Sequence, residues 1–404
     1  MIWRQVRDGA FLTRARVRAY VLVLSVCMAL TVAAGWGSVL LSHDIRYLQT
    51  DRTGAGRPAV TDFLCFWAAA RVAVTGAPQL AYQPAVTTRL QARAAALPPD
   101  ILLTFLYPPV FLLLCLPFGF LPYPAALVGF VLLTGGVFLA LLARLFPRLY
   151  ALRLPLLAAA AFPAVMDNVV AGQTGFLTAA ALAGGALFLE RRPALAGACL
   201  GFLVCKPHLA LCVPVALICA RRWRATLACG ATAAALAGLS AAVLGIGAWR
   251  GFLSAAPFAR QTLDRDWSFS LFTAARMLGA GVHLAGGAQA VMAAAAVLLV
   301  AAQSWRRPGA LAEMAVLAAA SLALPPHVMD YDLVALLIPA GWMVQCGLTG
   351  GWLAWERTGL VTIYLCVLLG RTVALTYGVP LGPLGLALML ALVAHRAHRK
   401  GGVA

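Results

Sequence analysis

Long apolar runs, separated by short basic or turn-forming clusters, recur from one end of the chain to the other. Residues 20–41, 225–246 and 358–375 each come close to the ~20 residues a helix needs to cross a ~30 Å hydrocarbon layer. Repeated along the chain, this spacing predicts an all-α, polytopic transmembrane helix bundle of about 11–13 helices. Residues 1–404 are read as a single membrane domain with no soluble domain appended. The first apolar run follows a basic leader, but it is of full membrane-crossing length and lacks a small-residue cleavage site, so it is expected to stay as an uncleaved first helix.

The longest polar stretch, 42–100, is expected as the first extracytoplasmic loop. Within it Phe63, Phe66, Trp67, Ala70 and Val74 fall at helical spacing opposite Arg71, the pattern of a helix lying on the membrane interface. A weaker amphipathic run covers 83–96. A second extracytoplasmic loop is expected over 248–285, and a short one holds Pro325, Pro326, His327, Asp330, Tyr331 and Asp332. Two regions are ambiguous. Three apolar segments lie between 101 and 170, and if both flanks are outside, one of them is not a full crossing. Lys206-Pro207 interrupts 194–220, which is either one kinked helix or a hairpin of two short ones. No internal repeat is visible.

Composition fixes the class. The chain is 63% hydrophobic and only 11% charged, against about 25% charged residues in soluble domains. It carries 31 Lys plus Arg against 13 Asp plus Glu, an excess that could suggest nucleic acid. The positives, however, form short clusters between apolar runs: Arg4, Arg7, Arg14, Arg16 and Arg18; Arg221, Arg222 and Arg224; Arg306 and Arg307; Arg396, Arg399 and Lys400. That is the positive-inside pattern. It places both termini in the cytoplasm and the chain in the plasma (inner) membrane, and no nucleic-acid partner is expected. Cys27, Cys115, Cys199, Cys212, Cys219, Cys229 and Cys366 lie inside apolar runs and read as packing residues.

Against this background the charged groups inside apolar sequence stand out, because placing them in a bilayer costs several kcal/mol. Lys206 is either a snorkelling or carboxylate-paired lysine, or a point charge for an anionic ligand such as phosphate. Asp62 is either an N-cap or a general base at the membrane surface. Asp167, beside Asn168 and just before Gly172-Gln173, has the same two readings at another expected helix start. One His near Asp330 and Asp332 is too little for a metal site, and neither a metal nor another cofactor is expected. Arg260, Arg265, Trp267 and Arg276 are a solvated basic loop or a grip on phosphate or sugar.

Taken in order, several motifs resemble glycosyltransferase family GT87 (DUF2029), the mycobacterial mannosyltransferase-like group of polyprenol-phosphate-dependent enzymes of the GT-C fold. They are Asp62-Phe63 with Trp67 to Arg71, then Gly76 and Tyr82; Tyr107-Pro108-Pro109 with Leu113 and Pro117; Gly172-Gln173; Arg192-Pro193 with Ala196-Gly197, Gly201 and Lys206-Pro207; and Pro326-His327 with Tyr331-Asp332. The stretch 345–404 carries no matching motif. The resemblance implies inverting transfer of a hexose, typically mannose, from a polyprenyl-phosphate-linked donor to a lipid or glycan acceptor on the outer face, without a metal. It makes Asp62 the catalytic base and sets Lys206 at the donor phosphate. His327, Gln173, Tyr107 and Tyr331 would line the donor pocket, and Arg71, His208 and Asp332 complete the donor-binding set. The rivals are a flippase for a lipid-linked sugar, which should show repeat symmetry and broken helices in matching halves, and a polymerase or ligase using lipid diphosphates, which Arg260, Arg265 and Arg276 would serve. A purely structural membrane protein leaves Asp62, Lys206 and His327 unexplained. Oligomeric state is not readable.

Overall fold

The computed structural model describes residues 2–41, 49–50, 56–57, 62–95, 103–151, 159–257 and 268–401. Among these the protein is helical, apart from a small antiparallel ribbon that pairs Gln49–Thr50 with Gly56–Arg57. Six helices are long and apolar enough to cross a membrane, and six shorter apolar helices of 10–17 residues pack with them. Large apolar side chains point outward along the long helices, among them Leu22, Val26, Leu132, Leu227, Val291 and Leu298. An apolar belt of this kind fits lipid and not water.

A short helix α1 (Ile2–Asp8) precedes the first long one, α2 (Arg14–Leu41). Helices form where the two amphipathic runs were expected, as α3 (Phe63–Val74) and α4 (Pro84–Ala95). The structure covers α3 on more faces than its single stripe implies: Leu64, Ala68 and Ala69 are as buried as Phe63 and Phe66, and Arg71 is its exposed residue. Trp67 Nε1 donates to Leu121 O and Arg71 Nη1 to Gly119 O, both at 2.9 Å. These bonds pin α3 to the corner between α5 (Pro109–Gly119) and α6 (Tyr123–Leu145).

Length removes one of the three segments between 101 and 170 as a crossing. Helix α5 has 11 residues, about 16 Å, and cannot cross, whereas α6 with 23 can. After α7 (Pro147–Ala151), α8 (Pro163–Ala171) is a nine-residue element outside the candidate spans. Asp167 sits in its middle, so the expected helix start there is corrected and an N-cap role is excluded.

The interruption at Lys206 makes a hairpin. Helix α9 (Gly175–Phe188) is followed by α10 (Pro193–Gly201), a 3₁₀ turn over Phe202–Cys205, then α11 (Pro207–Ala210) and α12 (Cys212–Cys219). Arg222, just past α12, binds Glu190, just before α10, at 2.7 Å and Glu313 at 3.1 Å. The two ends of 190–222 therefore meet, and Lys206 is at the far tip. The remaining elements are α13 (Trp223–Ser254, broken at Gly245), α14 (Leu271–Met277), α15 (Val282–Arg306), α16 (Ala310–Ala323), a 3₁₀ turn over Asp330–Leu336, then α17 (Leu337–Gly350), α18 (Glu356–Tyr377) and α19 (Gly382–Gly401). Gln289 fixes the end of α16, donating to the carbonyls of Ala323, Leu324 and Pro325 while accepting from Phe272 N.

One end of the bundle collects the basic residues. Arg307 Nε donates to Ala220 O at 2.7 Å, Arg306 touches His398, Arg396 pairs with Glu356, and Trp355 N donates to Arg7 O at 2.7 Å. Short helices α9 and α16, 14 residues each, rise about 21 Å from this rim. Their other ends hold the site.

Candidate active site

A four-residue turn, Gly172-Gln173-Thr174-Gly175, builds the centre of the site. Gly172 ends α8 in the left-handed region at φ 65°, and a Cβ there would lie 2.6 Å from Phe63 Cβ. Gly175 opens α9; its N–H donates to Asn168 Oδ1 at 2.8 Å, and a Cβ on it would lie 2.0 Å from the Tyr331 carbonyl oxygen. Only glycine allows both the turn and this approach. The turn thereby sets Gln173 and Thr174 between the start of α3 and the Asp330–Leu336 segment.

From it runs a continuous chain of polar contacts. Asp62 stands just before α3 but makes no side-chain capping bond; its Oδ2 accepts from Gln173 Nε2 at 3.1 Å. Gln173 Oε1 accepts from Tyr107 Oη at 3.1 Å and from Thr174 N at 3.2 Å. Tyr107 Oη also lies 3.3 Å from Thr174 Oγ1, which accepts from Lys206 Nζ at 3.2 Å. Lys206 is 4% exposed and pairs with Asp332 Oδ1 at 2.5 Å. Its ammonium lies over the rings of Tyr331, 4.8 Å from the centroid, and Tyr107, 5.7 Å. Buried ammonium, carboxylate, hydroxyls and rings thus satisfy one another, as a charge at this depth requires.

Beyond Tyr331 lies a second cation. Arg371, on α18, donates from Nη1 to Asp330 Oδ2 at 3.0 Å and keeps half of its side chain exposed. It interacts electrostatically with Asp167 and Asp62. Burial and the neighbouring Asp330 push the Asp167 carboxyl up to about 8, against the pull of Arg371. On the Lys206 side, His208 lies in the field of Lys206, Asp332 and His327. Its Nε2 is buried with no hydrogen-bond partner among the described residues.

One helical turn from this chain, an apolar groove of about 570 Å³ opens between α5, α6, α9 and α10. Phe111, Phe118, Phe130, Leu177, Ala198 and Phe202 line it. Leu177 is four residues past Gln173, Phe202 four before Lys206, and the Phe111 ring is 4.7 Å from that of Tyr107. The groove therefore lies beside the polar chain, with the Tyr107–Phe111 ring contact between them.

Of the residues expected from sequence, the structure gathers Asp62, Gln173, Tyr107, Lys206, Tyr331 and Asp332, with His208 and His327 beside them. Arg71 stands apart, nine residues along α3 from Asp62 and so about 13 Å away, with its guanidinium on Gly119 O. Arg276 donates to its own turn at Ala280 O, while Arg260, Arg265 and Trp267 lie outside the described residues. Sequence reasoning missed Thr174, which joins the two halves of the chain, and Arg371. The signal for Arg371 was present: a lone arginine inside the apolar run 358–375.

Comparison with known proteins adds one match: the model of glycosyltransferase family 87 covers residues 105–326, more than half of the chain. No curated protein and no solved structure matches it.

Proposed function

The chain belongs to glycosyltransferase family 87 and is a membrane glycosyltransferase; we propose that it transfers a hexose, mannose, from a polyprenyl-phosphate donor to a lipid or glycan acceptor at the extracytoplasmic face, with inversion. Asp62 is the general base. The observation that carries this reading is the state of its carboxylate: it caps no helix, and Gln173 orients it at the head of a chain that ends on a buried cation. A capping aspartate has no need of such a chain.

The chemistry follows from the two ends. Asp62 takes the proton of the acceptor hydroxyl, whose oxygen bonds to the anomeric carbon as the carbon–oxygen bond to phosphate breaks. The electron pair leaves with the phosphate. A phosphate is already a good leaving group, so what is needed is a base, an orienting site and a cation near the departing charge. Lys206 supplies the cation, sharing itself between the phosphate and Asp332, and His208 and His327 stand beside it. The apolar groove one turn away suits an isoprenoid chain, which supports a lipid-linked donor over a water-soluble sugar nucleotide.

The test is sugar transfer from radiolabelled polyprenyl-phosphate mannose by the purified protein in lipid, with a membrane-lipid extract as acceptor. Wild type is expected to transfer. Asp62→Asn is expected to bind donor normally and to lose at least about a hundredfold in rate, the lower range for removing a general base. Full activity in that variant removes Asp62 from the mechanism, and donor binding without transfer by the wild type favours a flippase.

A further inference from the structure

The basic end of the bundle, opposite the site, holds another cavity, of about 400 Å³, between α6, α9, α16 and α17. That is the size of a small-ligand pocket. Leu145, Ala186, Trp342 and Cys346 are its buried apolar lining, and Glu190, Arg191, Gln345 and Thr349 its polar lining. None of them belongs to the chain of contacts that runs from Asp62 to Lys206.

Two of the polar groups lack a protein partner. Gln345 Oε1 is buried and accepts no hydrogen bond among the described residues. An amide oxygen left in that state carries a desolvation penalty, which a donor entering the cavity would remove. Arg191 is exposed and, among the described residues, has no hydrogen bond or ion pair, in contrast to its neighbour Glu190, which Arg222 holds at 2.7 Å. Thr349 Oγ1 donates to Gln345 O at 2.9 Å and keeps its lone pairs for a further donor.

We propose that this cavity is a lipid site whose occupant is an anionic phospholipid with a hydroxyl-bearing headgroup, as in phosphatidylglycerol. Its phosphate accepts from the Arg191 guanidinium, a headgroup hydroxyl donates to Gln345 Oε1, and the glyceride part lies on Leu145 and Trp342. A ligand with both apolar and polar lining to satisfy at a helix end is an amphiphile, and basic pockets between membrane helices suit anionic headgroups. Charge narrows the choice. Around the mouth, Arg191, Arg222 and Arg307 stand against Glu190 and Glu313: Arg222 binds both carboxylates, and Arg307 adjoins Pro308 of the lining. The surplus is positive, so the ammonium of a zwitterionic headgroup is disfavoured there. A choline headgroup, moreover, has no N–H or O–H to give Gln345. The site is separate from the transfer chemistry and does not depend on it.

The experiment incubates the full-length protein in detergent with equimolar phosphatidylglycerol, phosphatidylethanolamine and phosphatidylcholine of matched acyl chains, and reads the retained lipid by native mass spectrometry. Wild type is expected to keep one phosphatidylglycerol about tenfold in preference to either of the others, the worth of one hydrogen bond to a charged group. Gln345→Leu and Arg191→Gln are each expected to cut that preference about five- to tenfold, while Arg224→Gln, which removes an arginine of the same end outside the cavity, leaves it within about twofold. Thermal unfolding without added lipid shows which variants are folded; Gln345→Glu, which keeps the side-chain volume and adds a repelling charge, replaces Gln345→Leu if that variant is not. Equal retention of the three lipids, retention of none, or a preference for phosphatidylethanolamine overturns the proposal. So does an unchanged preference in the cavity variants, or an equal loss in Arg224→Gln, which would make the attraction a property of the whole basic end. Displacement of the retained lipid by free glycerol phosphate at the lipid's own concentration also overturns it, because the ligand would then be a soluble phosphate.

Discussion

The Lys206–Asp332 pair shows how a single residue carries both fold and chemistry. Both side chains are almost fully buried, so removing one partner strands a charge where water does not reach it. Lys206→Met is expected to cost about 3–5 kcal/mol for that reason, and Lys206→Met combined with Asp332→Leu to regain most of it, since an apolar pair can replace a buried ion pair without loss. Thermal unfolding in detergent reads both. Transfer activity should stay lost in the double variant, which separates the cation's part in the reaction from its part in stability; activity returning with stability would make Lys206 structural. Asp62 and Lys206 were legible in the sequence because a charge beside or inside an apolar run is conspicuous. Arg371 was equally conspicuous in principle, but no motif surrounds it and its partner Asp330 is 41 positions away. The contact that gives it meaning is long-range. Thr174 could not be singled out at all, because a threonine at a helix start has an ordinary local explanation.

At the scale of elements, periodicity located the helices well but could not decide which of them cross. Lys206-Pro207 was visible as an interruption, yet the choice between kink and hairpin depended on Arg222 reaching Glu190 across 32 positions. The single stripe of α3 understated its burial because helix packing on its other sides involves alanine and cysteine, which leave a weak amphipathic signal. The Gly172–Gly175 turn is the element on which the site depends most. Gly175→Ala would drive a methyl to 2.0 Å from the Tyr331 carbonyl oxygen, so either α9 or the Asp330–Leu336 segment must shift. Gln173 and Lys206 then lose register with Asp62. Activity is expected to fall more than about a hundredfold, as misplacement by ~1 Å can cost in a positioned reaction. Gly238→Ala, in the middle of α13 where a Cβ meets nothing within 4 Å, is the matched control and should be neutral or slightly stabilising. Equal effects of the two substitutions in the transfer assay would mean that the turn does not set the site.

Across the whole molecule, orientation is the property that ties the parts together. The contacts of Arg222 with Glu190 and Glu313, of Arg307 with Ala220, of Arg306 with His398 and of Arg396 with Glu356 bring five stretches, distant in sequence, to one end. The clustering that the sequence showed only as a series of short basic runs becomes a single rim. Positive-inside bias applies to such short connections, and the proposed orientation therefore puts this rim at the cytoplasm. The site, about 21 Å above it along α9 and α16, then lies roughly 9 Å short of the opposite boundary of a ~30 Å hydrocarbon layer. In the proposed function a lipid-anchored sugar would enter laterally along the groove lined by Phe111, Phe130 and Phe202, and the acceptor would approach from the outer surface. The expectation is that a green fluorescent protein fused after Ala404 fluoresces in bacterial cells and that alkaline phosphatase fused at the same point is inactive, because the C-terminal helix α19 ends on the arginine rim with Arg396 and His398. The reverse pattern would invert the molecule. The chemistry would then face the cytoplasm, where a sugar nucleotide could compete as donor and the case for a polyprenyl-phosphate sugar would rest on the groove alone.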